Sequence, residues 1–259
     1  MNKESDNEFT SAFDAPAEIA PFLTDLVEDM WALGSSPDVV VEILEPLRLP
    51  PDETHVLDLG CGKGAVCVTL ARDLGFRATG IDICKPFLEV AEKKAAEYGV
   101  AGLCKFEQDD LKSFLGQAAG YDIAILISLG AILGGFDETV GSMRKAVGKG
   151  GYIIIDDGFL NSAASLDRRH YRHYAPHKRT LELLTSHGDT IVTERIYSNR
   201  EMRAINDFYI ASISSKAAEI VKGNPGLEQP LARYIQGQKE ECEVIDRCIT
   251  GAMWLIRKG

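Results

Sequence analysis

The stretch Val56-Leu57-Asp58-Leu59-Gly60-Cys61-Gly62-Lys63-Gly64 sets the frame for everything around it. A short apolar run breaks into three alternating glycines, and Ala65 to Leu74 continues at once with helical spacing. This predicts a strand, a sharp turn and a helix, the opening of a βα unit. Glycine lets the backbone turn tightly and brings a ligand against the main chain. The free N–H groups of a helix start favour a negative group by about 0.3–1 kcal/mol where exposed. A turn that only needs to bend accounts for one glycine, not for three in alternation after an acid.

The flanking sequence repeats the unit. Strands are predicted at His55–Leu59, Arg77–Ile81, Leu103–Gln108, Tyr121–Ile127 and Gly151–Ile155, with helices at Ala65–Leu74, Lys85–Tyr98 and Thr139–Val147. The run YDIAILI is apolar throughout, as a strand covered on both faces must be. Such alternation implies an α/β fold: a doubly wound, mostly parallel seven-stranded sheet with helices on both faces. Upstream, helical spacing covers Pro21–Leu33 and Pro37–Leu47; downstream, a helix at Thr180–Ser186 and a strand at Thr190–Tyr197 precede helices at Glu201–Val221 and Leu227–Arg247. Ala252–Arg257 returns as a last strand. The expected organisation is therefore a lead-in with cap helices (1–50), a core (51–197), a helical insertion or lid (198–249) and the final core strand (250–259).

The pattern D-x-G-x-G-x-G resembles the first motif of class I, Rossmann-like methyltransferases that use S-adenosylmethionine, in their small-molecule branch. It differs from the dinucleotide fingerprint G-x-G-x-x-G, whose third glycine comes one residue later. The resemblance implies that Asp58, Gly60, Cys61 (through its backbone), Gly62 and Gly64 wrap the methionine portion of the cofactor, with Asp58 facing its ammonium and sulfonium end. Asp82, at the end of the second strand beside Ile83, is placed to accept from both ribose hydroxyls. At the end of the third strand, Asp110 matches the acid that accepts from the adenine amino group, with the Leu111 backbone beside it and Asp109 as the alternative. Asp110 also reads as a helix N-cap. Ser128 follows the fourth strand, where such proteins close over the cofactor. The segment Ile127 to Gly135 lacks an N-P-P-[YF] signature, which argues against a nucleobase-amino or glutamine methylase. The resemblance covers about Val56 to Asp156.

An acceptor pocket is expected beyond the strand ends, framed by Leu129 to Phe136 and Asp157 to Leu160 and covered by Trp31 and the 198–249 helices. Arg168 to Arg179 (RRHYRHYAPHKR) carries five Arg or Lys, three His and no acid. It reads as an anion-recognising lid, with Arg172 on substrate and His170, Tyr171 or His173 as a general base. It reads equally as a solvated loop. The spacing of His170, His173 and His177 offers no fourth ligand, and the neighbouring Arg residues would repel a cation, so no metal is expected.

Bulk properties bound the alternatives. Among 259 residues, 28 Lys and Arg face 39 Asp and Glu, a formal net charge of −11. Such a surface disfavours nucleic acid and anionic membrane and leaves a small-molecule substrate. Six cysteines without a C-x-x-C pair, and a polar start without an apolar h-region, point to a reduced, cytoplasmic protein. The expected function is methyl transfer to a small molecule by in-line displacement, giving S-adenosylhomocysteine. A non-catalytic cofactor-binding module is the alternative, and a nicotinamide-dependent dehydrogenase a more distant one.

Overall fold

His55–Leu59 forms β1, an inner strand whose residues after His55 are all buried. In the computed structural model, which describes residues 13, 15–34, 36–161 and 171–259, six further strands join it. They are β2 (Arg77–Asp82), β3 (Cys104–Gln108), β4 (Tyr121–Ile127), β5 (Val147–Leu160), β6 (Thr190–Ile196) and β7 (Ile249–Arg257). The sheet order is β3-β2-β1-β4-β5-β7-β6. Strands β1 to β5 pair in parallel, and β7 runs antiparallel to both β5 and β6. Chain order reverses between β1 and β4, and in such sheets the crevice beyond the carboxyl ends of those strands receives the ligand. This is the seven-stranded, mostly parallel sheet that the βαβ rhythm predicts.

The helices are α1 (Leu23–Leu26), α2 (Pro37–Leu44), α3 (Ala65–Leu74), α4 (Lys85–Glu97), α5 (Leu111–Leu115), α6 (Phe136–Ala146), α7 (His177–Leu184), α8 (Asn199–Gly223) and α9 (Glu228–Cys248). They cover both faces, because strand side chains alternate. Leu57, Leu59, Leu126 and Ile155 pack with Phe136, Met143 and Leu184 on one face. Val56, Ile125 and Ile154 pack with Ile43, Val66 and Leu70 on the other. A third cluster lies beyond the strand ends. There Leu23, Leu26 and Met30 meet Ile213, Ala217 and Leu231 of α8 and α9, over Cys84 and Phe87. The additions at the two ends of the chain thus cover one another and the start of α4.

Three of the differences from the sequence reading bear on the site. Pro21–Leu33 is not one helix: a 3-10 turn at Ala20–Phe22 and the four residues of α1 are followed by non-helical chain. The carbonyls that a longer helix would have paired internally are turned to the Lys63 ammonium instead. Helix α6 begins at Phe136 rather than Thr139, since the Glu138 carboxylate accepts from the Gly135 N–H at 2.8 Å and fixes an earlier start. Strand β5 runs through Asp157 to Leu160, paired with β7 up to Leu160↔Ile249. Two acids and a glycine hid that extension. Gly158 is needed there, because a Cβ would fall 2.5 Å from Ile249 Cγ2. No helix among the described residues is long and apolar enough to cross a membrane.

Candidate active site

The turn after β1 is built on positive φ: 72° at Gly60, 53° at Gly62 and 74° at Gly64. A Cβ on Gly64 would lie 2.7 Å from Ala91 Cβ, so glycine there sets the close packing of α3 on α4. A Cβ on Gly60 would lie 2.2 Å from Leu129 Cδ1. The turn is held from below: the N–H groups of Gly60 and Cys61 donate to Ile81 O at 2.8 and 3.0 Å, and Gly64 N–H to Cys61 O at 2.9 Å. These donors are engaged with β2 and with the turn itself. The turn presents a shaped backbone surface.

Asp58 is buried. Strand alternation sends its side chain toward α3, where the Cys67 thiol donates to Oδ2 at 3.3 Å. Burial pushes its carboxyl up to about 7. It lies beneath the turn, so its leverage on a bound sulfonium would be through the field rather than by contact.

Lys63, the one charged residue of the turn, carries no role in the sequence reading. Its ammonium is buried and donates to the carbonyls of Val27, Glu28 and Met30 at 2.5, 2.9 and 3.0 Å. Burial pulls its pKa down to about 8, opposed by Glu28 and Asp29, so it stays charged at neutral pH. Its own carbonyl accepts from Trp31 Nε1 at 2.9 Å. Lys216 of α8 reaches the same segment through Glu28 and Asp29, at 2.9 and 3.2 Å. Residues 23–34 are thus pinned between the glycine turn and α8. The pin brings Leu33 Cδ1 to 3.0 Å from where a Gly62 Cβ would sit. It also brings Gly34 O within 2.9 Å of the donating Ser128 hydroxyl.

At the end of β2, Asp82 Oδ1 accepts from Cys84 N–H and Oδ2 from Gly62 N–H, both at 2.8 Å. Each carboxylate oxygen keeps a lone pair for a further donor. Burial raises the Asp82 pKa while these N–H groups pull it back. Asp110 caps α5, its Oδ1 accepting from Ser113 N–H at 2.8 Å. Asp109 accepts from Asp110 N–H, also at 2.8 Å. The N-cap reading of Asp110 is therefore realised, and the half-buried Asp109 stands beside it. Leu111 is buried. Ile83 is half-buried against the cap cluster. A backbone cradle that a Cβ would fill and a row of acceptors at the ends of β2 and β3 fit an adenosyl group with a methionine tail.

Across the crevice, strand alternation splits two adjacent acids of β5. Asp156 faces Tyr197, whose hydroxyl donates to Oδ2 at 3.1 Å. Burial pushes Asp156 up to about 7, the Tyr197 bond opposing and Asp157 adding to the shift. Asp157 faces the opposite way, and His173 Nε2 lies 3.2 Å from its Oδ2. The Tyr174 hydroxyl also bonds Asp157, and burial pushes that phenol up. The His173 ring packs on Tyr174 and Phe136, with centroids 4.0 and 5.7 Å apart. Leu129, Gly130, Phe136, Asp156, Asp157 and His173 line a recess here.

The structure thus joins His173, Asp157 and Leu129, which the sequence reading placed in separate roles. It sets the others elsewhere. Tyr171 is buried and its hydroxyl donates to Glu241 of α9. Arg172 is exposed. The Trp31 ring stacks on Tyr98 at 5.3 Å rather than lining the recess, because the Lys63 pin turns it toward α3 and α4. His170 lies outside the described residues. His177 pairs with Glu194 at 2.8 Å, away from His173. Among the described residues no three His, Cys, Asp or Glu side chains form a metal-binding group.

A family of methyltransferase domains matches residues 51–216, and the chain belongs to it. An uncharacterised Escherichia coli protein, YjhP, is 34% identical over 119 residues, covering 44% of this chain and 45% of that one. A ubiquinone biosynthesis O-methyltransferase of Albidiferax ferrireducens is 33% identical over 129 residues, 46% of this chain and 50% of that one. The matches span about half the length of these relatives. A methyltransferase of Geobacter sulfurreducens, solved with S-adenosyl-L-homocysteine, shares the fold with a TM-score of 0.79 at 20% identity, over 92% of this chain and 98% of that one. The crystal structure of YjhP gives 0.78 at 18% identity, over 92% and 99%.

Proposed function

We propose that this protein transfers the methyl group of S-adenosylmethionine to a small-molecule acceptor held at the carboxyl ends of β4 and β5. The observation that carries this reading is Leu129, which lies over Gly60 of the glycine turn and also lines the recess with His173 and Asp157. One side chain forms the wall between a cofactor cradle and an acceptor pocket, the proximity that in-line displacement needs. When bound, the cofactor supplies a methyl group already activated on a sulfonium. What remains for the protein is alignment and exclusion of water.

In this reading Gly60, Cys61, Gly62 and Gly64 cradle the methionine portion, and Asp82 takes the ribose hydroxyls. Asp109, with Asp110, Ile83 and Leu111 around it, meets the adenine, and Ser128 closes the edge. Residues 51–197 with 250–259 form the cofactor-binding core, and 198–249 with the amino-terminal segment form the lid. A small acceptor accords with the relative named for ubiquinone biosynthesis and with a net charge of −11, which repels phosphate backbones.

Calorimetric titration with S-adenosylmethionine, S-adenosylhomocysteine and NADH, repeated on Asp82→Ala, tests the reading. Micromolar binding of the two sulfur compounds alone, lost in the variant, is expected. Tight NADH binding with no response to either sulfur compound would overturn it. Binding without methylated product from any class of acceptor would favour a non-catalytic module.

A further inference from the structure

The His173 ring is almost wholly enclosed, its side chain 6% exposed and that of Asp157 9%. An ionised carboxylate only accepts, so the Nε2–Asp157 contact places the imidazole proton on Nε2. Nδ1 then carries the lone pair. It is buried and has no hydrogen-bond partner among the described residues. A buried acceptor without a donor is destabilising, and it persists where a ligand or a reaction supplies the missing partner. Nothing in the fold requires it: Phe136 and Tyr174 hold the ring by packing. Gly130 lies beside the ring with no side chain of its own, and a Cβ there would be 3.9 Å from His173 Cε1.

We infer that His173 Nδ1 is the general base of the methyl transfer, oriented by Asp157, and that the acceptor is an uncharged hydroxyl on an apolar body. The inference rests on the methyltransferase reading above. In the step, the acceptor O–H bond breaks and its proton moves to Nδ1. The oxygen lone pair forms the new O–CH₃ bond. The S–CH₃ bond breaks with its electron pair staying on sulfur, which becomes a neutral thioether. The imidazolium formed is stabilised by Asp157, a positioning residue, and later returns its proton to water.

The acceptor class follows from what lines the recess. Leu126, Leu129, Phe136 and Ile155 give it an apolar body, and its charged lining residues among those described are Asp156 and Asp157. Those acids repel an anion, and the exposed Arg172 does not offset them. A cationic amine would be held by those acids in its protonated form, which has no lone pair for attack. A thiol, with a pKa of about 8.5 for cysteine, gives up its proton more readily than an alcohol and needs a base less. A hydroxyl gains most from a neighbouring imidazole, typically 10²–10⁴-fold.

The test uses the full-length protein loaded with S-adenosylhomocysteine and 4-nitrophenol as the acceptor probe, below the probe's solution pKa. The bound phenol should absorb as phenolate in the wild type and as neutral phenol in His173→Gln. Nitrogen-15 spectra should show His173 as the Nε2–H tautomer, a preference lost in Asp157→Ala. Across pH the titratable groups in contact with the ring are Asp157 on β5 and Tyr174 on its own segment; Tyr171, bonded to Glu241 of α9, stacks behind Tyr174, and Asp156 lines the same recess. With 1-naphthol as acceptor, His173→Gln should lower turnover at least 100-fold while S-adenosylhomocysteine affinity stays within about threefold. Neutral phenol in both proteins, no phenol binding, or an Nδ1–H tautomer would overturn the inference while leaving the methyltransferase reading intact. Loss of S-adenosylhomocysteine binding by the wild type would overturn that reading itself.

Discussion

Replacing Lys63 by Met keeps the aliphatic stem and removes the ammonium that three carbonyls share. Val27 O retains the Met30 N–H at 3.0 Å, so the carbonyls of Glu28 and Met30 bear the loss. The buried Met30 carbonyl left without a donor costs about 1–3 kcal/mol, and the carbonyl of the exposed Glu28 adds less. The variant also escapes the desolvation that pulls the Lys63 pKa down to about 8, which favours the lower end. A net weakening of about 2 kcal/mol is expected, a roughly 30-fold rise in the open population of the amino-terminal segment, at about 1.4 kcal/mol per tenfold. The assay is hydrogen exchange of peptides covering residues 19–34 against the β4 strand, 121–127. The segment should exchange about 30-fold faster while β4 keeps its protection, because the pin lies outside the sheet. Since Leu33 covers Gly62 and Gly34 takes the Ser128 hydroxyl, S-adenosylhomocysteine affinity should fall with it. Exchange within threefold of wild type would mean that the apolar cluster alone holds the segment, and would refute the pin.

Three further outcomes are expected. Gly60→Ala keeps the fold at a cost of about 1–2 kcal/mol for an L-residue at positive φ, but abolishes cofactor binding in calorimetry; unchanged affinity would move the cradle elsewhere. Asp110→Ala lowers stability in urea by about 1 kcal/mol through the lost cap, whereas Asp109→Ala leaves stability unchanged and weakens S-adenosylmethionine binding; the opposite assignment would make Asp110 the adenine acceptor. Asp156 is an acid whose folded pKa is raised, from 3.8 to about 7. Between those values the native state therefore binds more protons than the unfolded one, and the stability it contributes at low pH is lost as pH rises through 7. Asp156→Asn, which can still accept from Tyr197, should match wild type near pH 4 and exceed it at pH 8, by at most about 4 kcal/mol. Equal denaturation midpoints at pH 8 would show that the carboxylate is not desolvated.

The cofactor side was legible because its signals are local. Asp58 to Gly64 lie on one strand and one turn, and the glycines state the backbone angles directly. Asp82 and Asp110 follow at strand ends whose position the βαβ rhythm sets. What local signals missed is where those groups turn. Asp58 points beneath the turn because alternation from Leu57 and Leu59 puts it on the α3 face. The turn's N–H groups are engaged because β2 lies in parallel register with Ile81 opposite Leu59. Lys63 went unread because its partners are carbonyls, which any sequence supplies. Its contacts span 33 to 36 positions. A charged residue amid glycines that must be buried was the available sign.

The acceptor side depends on parity, which sequence carries only once a strand's extent is known. Reading β5 as ending at Ile155 leaves Asp156 and Asp157 as loop acids with interchangeable prospects. Extending it to Leu160, in register with β7, gives them opposite faces and different chemistry. Asp156 meets a tyrosine hydroxyl among apolar neighbours and is pushed toward neutrality. Asp157 meets the His173 imidazole and the Tyr174 hydroxyl on the other face. A one-residue slip of this strand would exchange the two fates. Gly158 opposite Gly251 and the close approach to Ile249 fix the register. The orientation of His173 is therefore set by a strand pairing that closes near residue 250, far along the chain from the histidine that it serves.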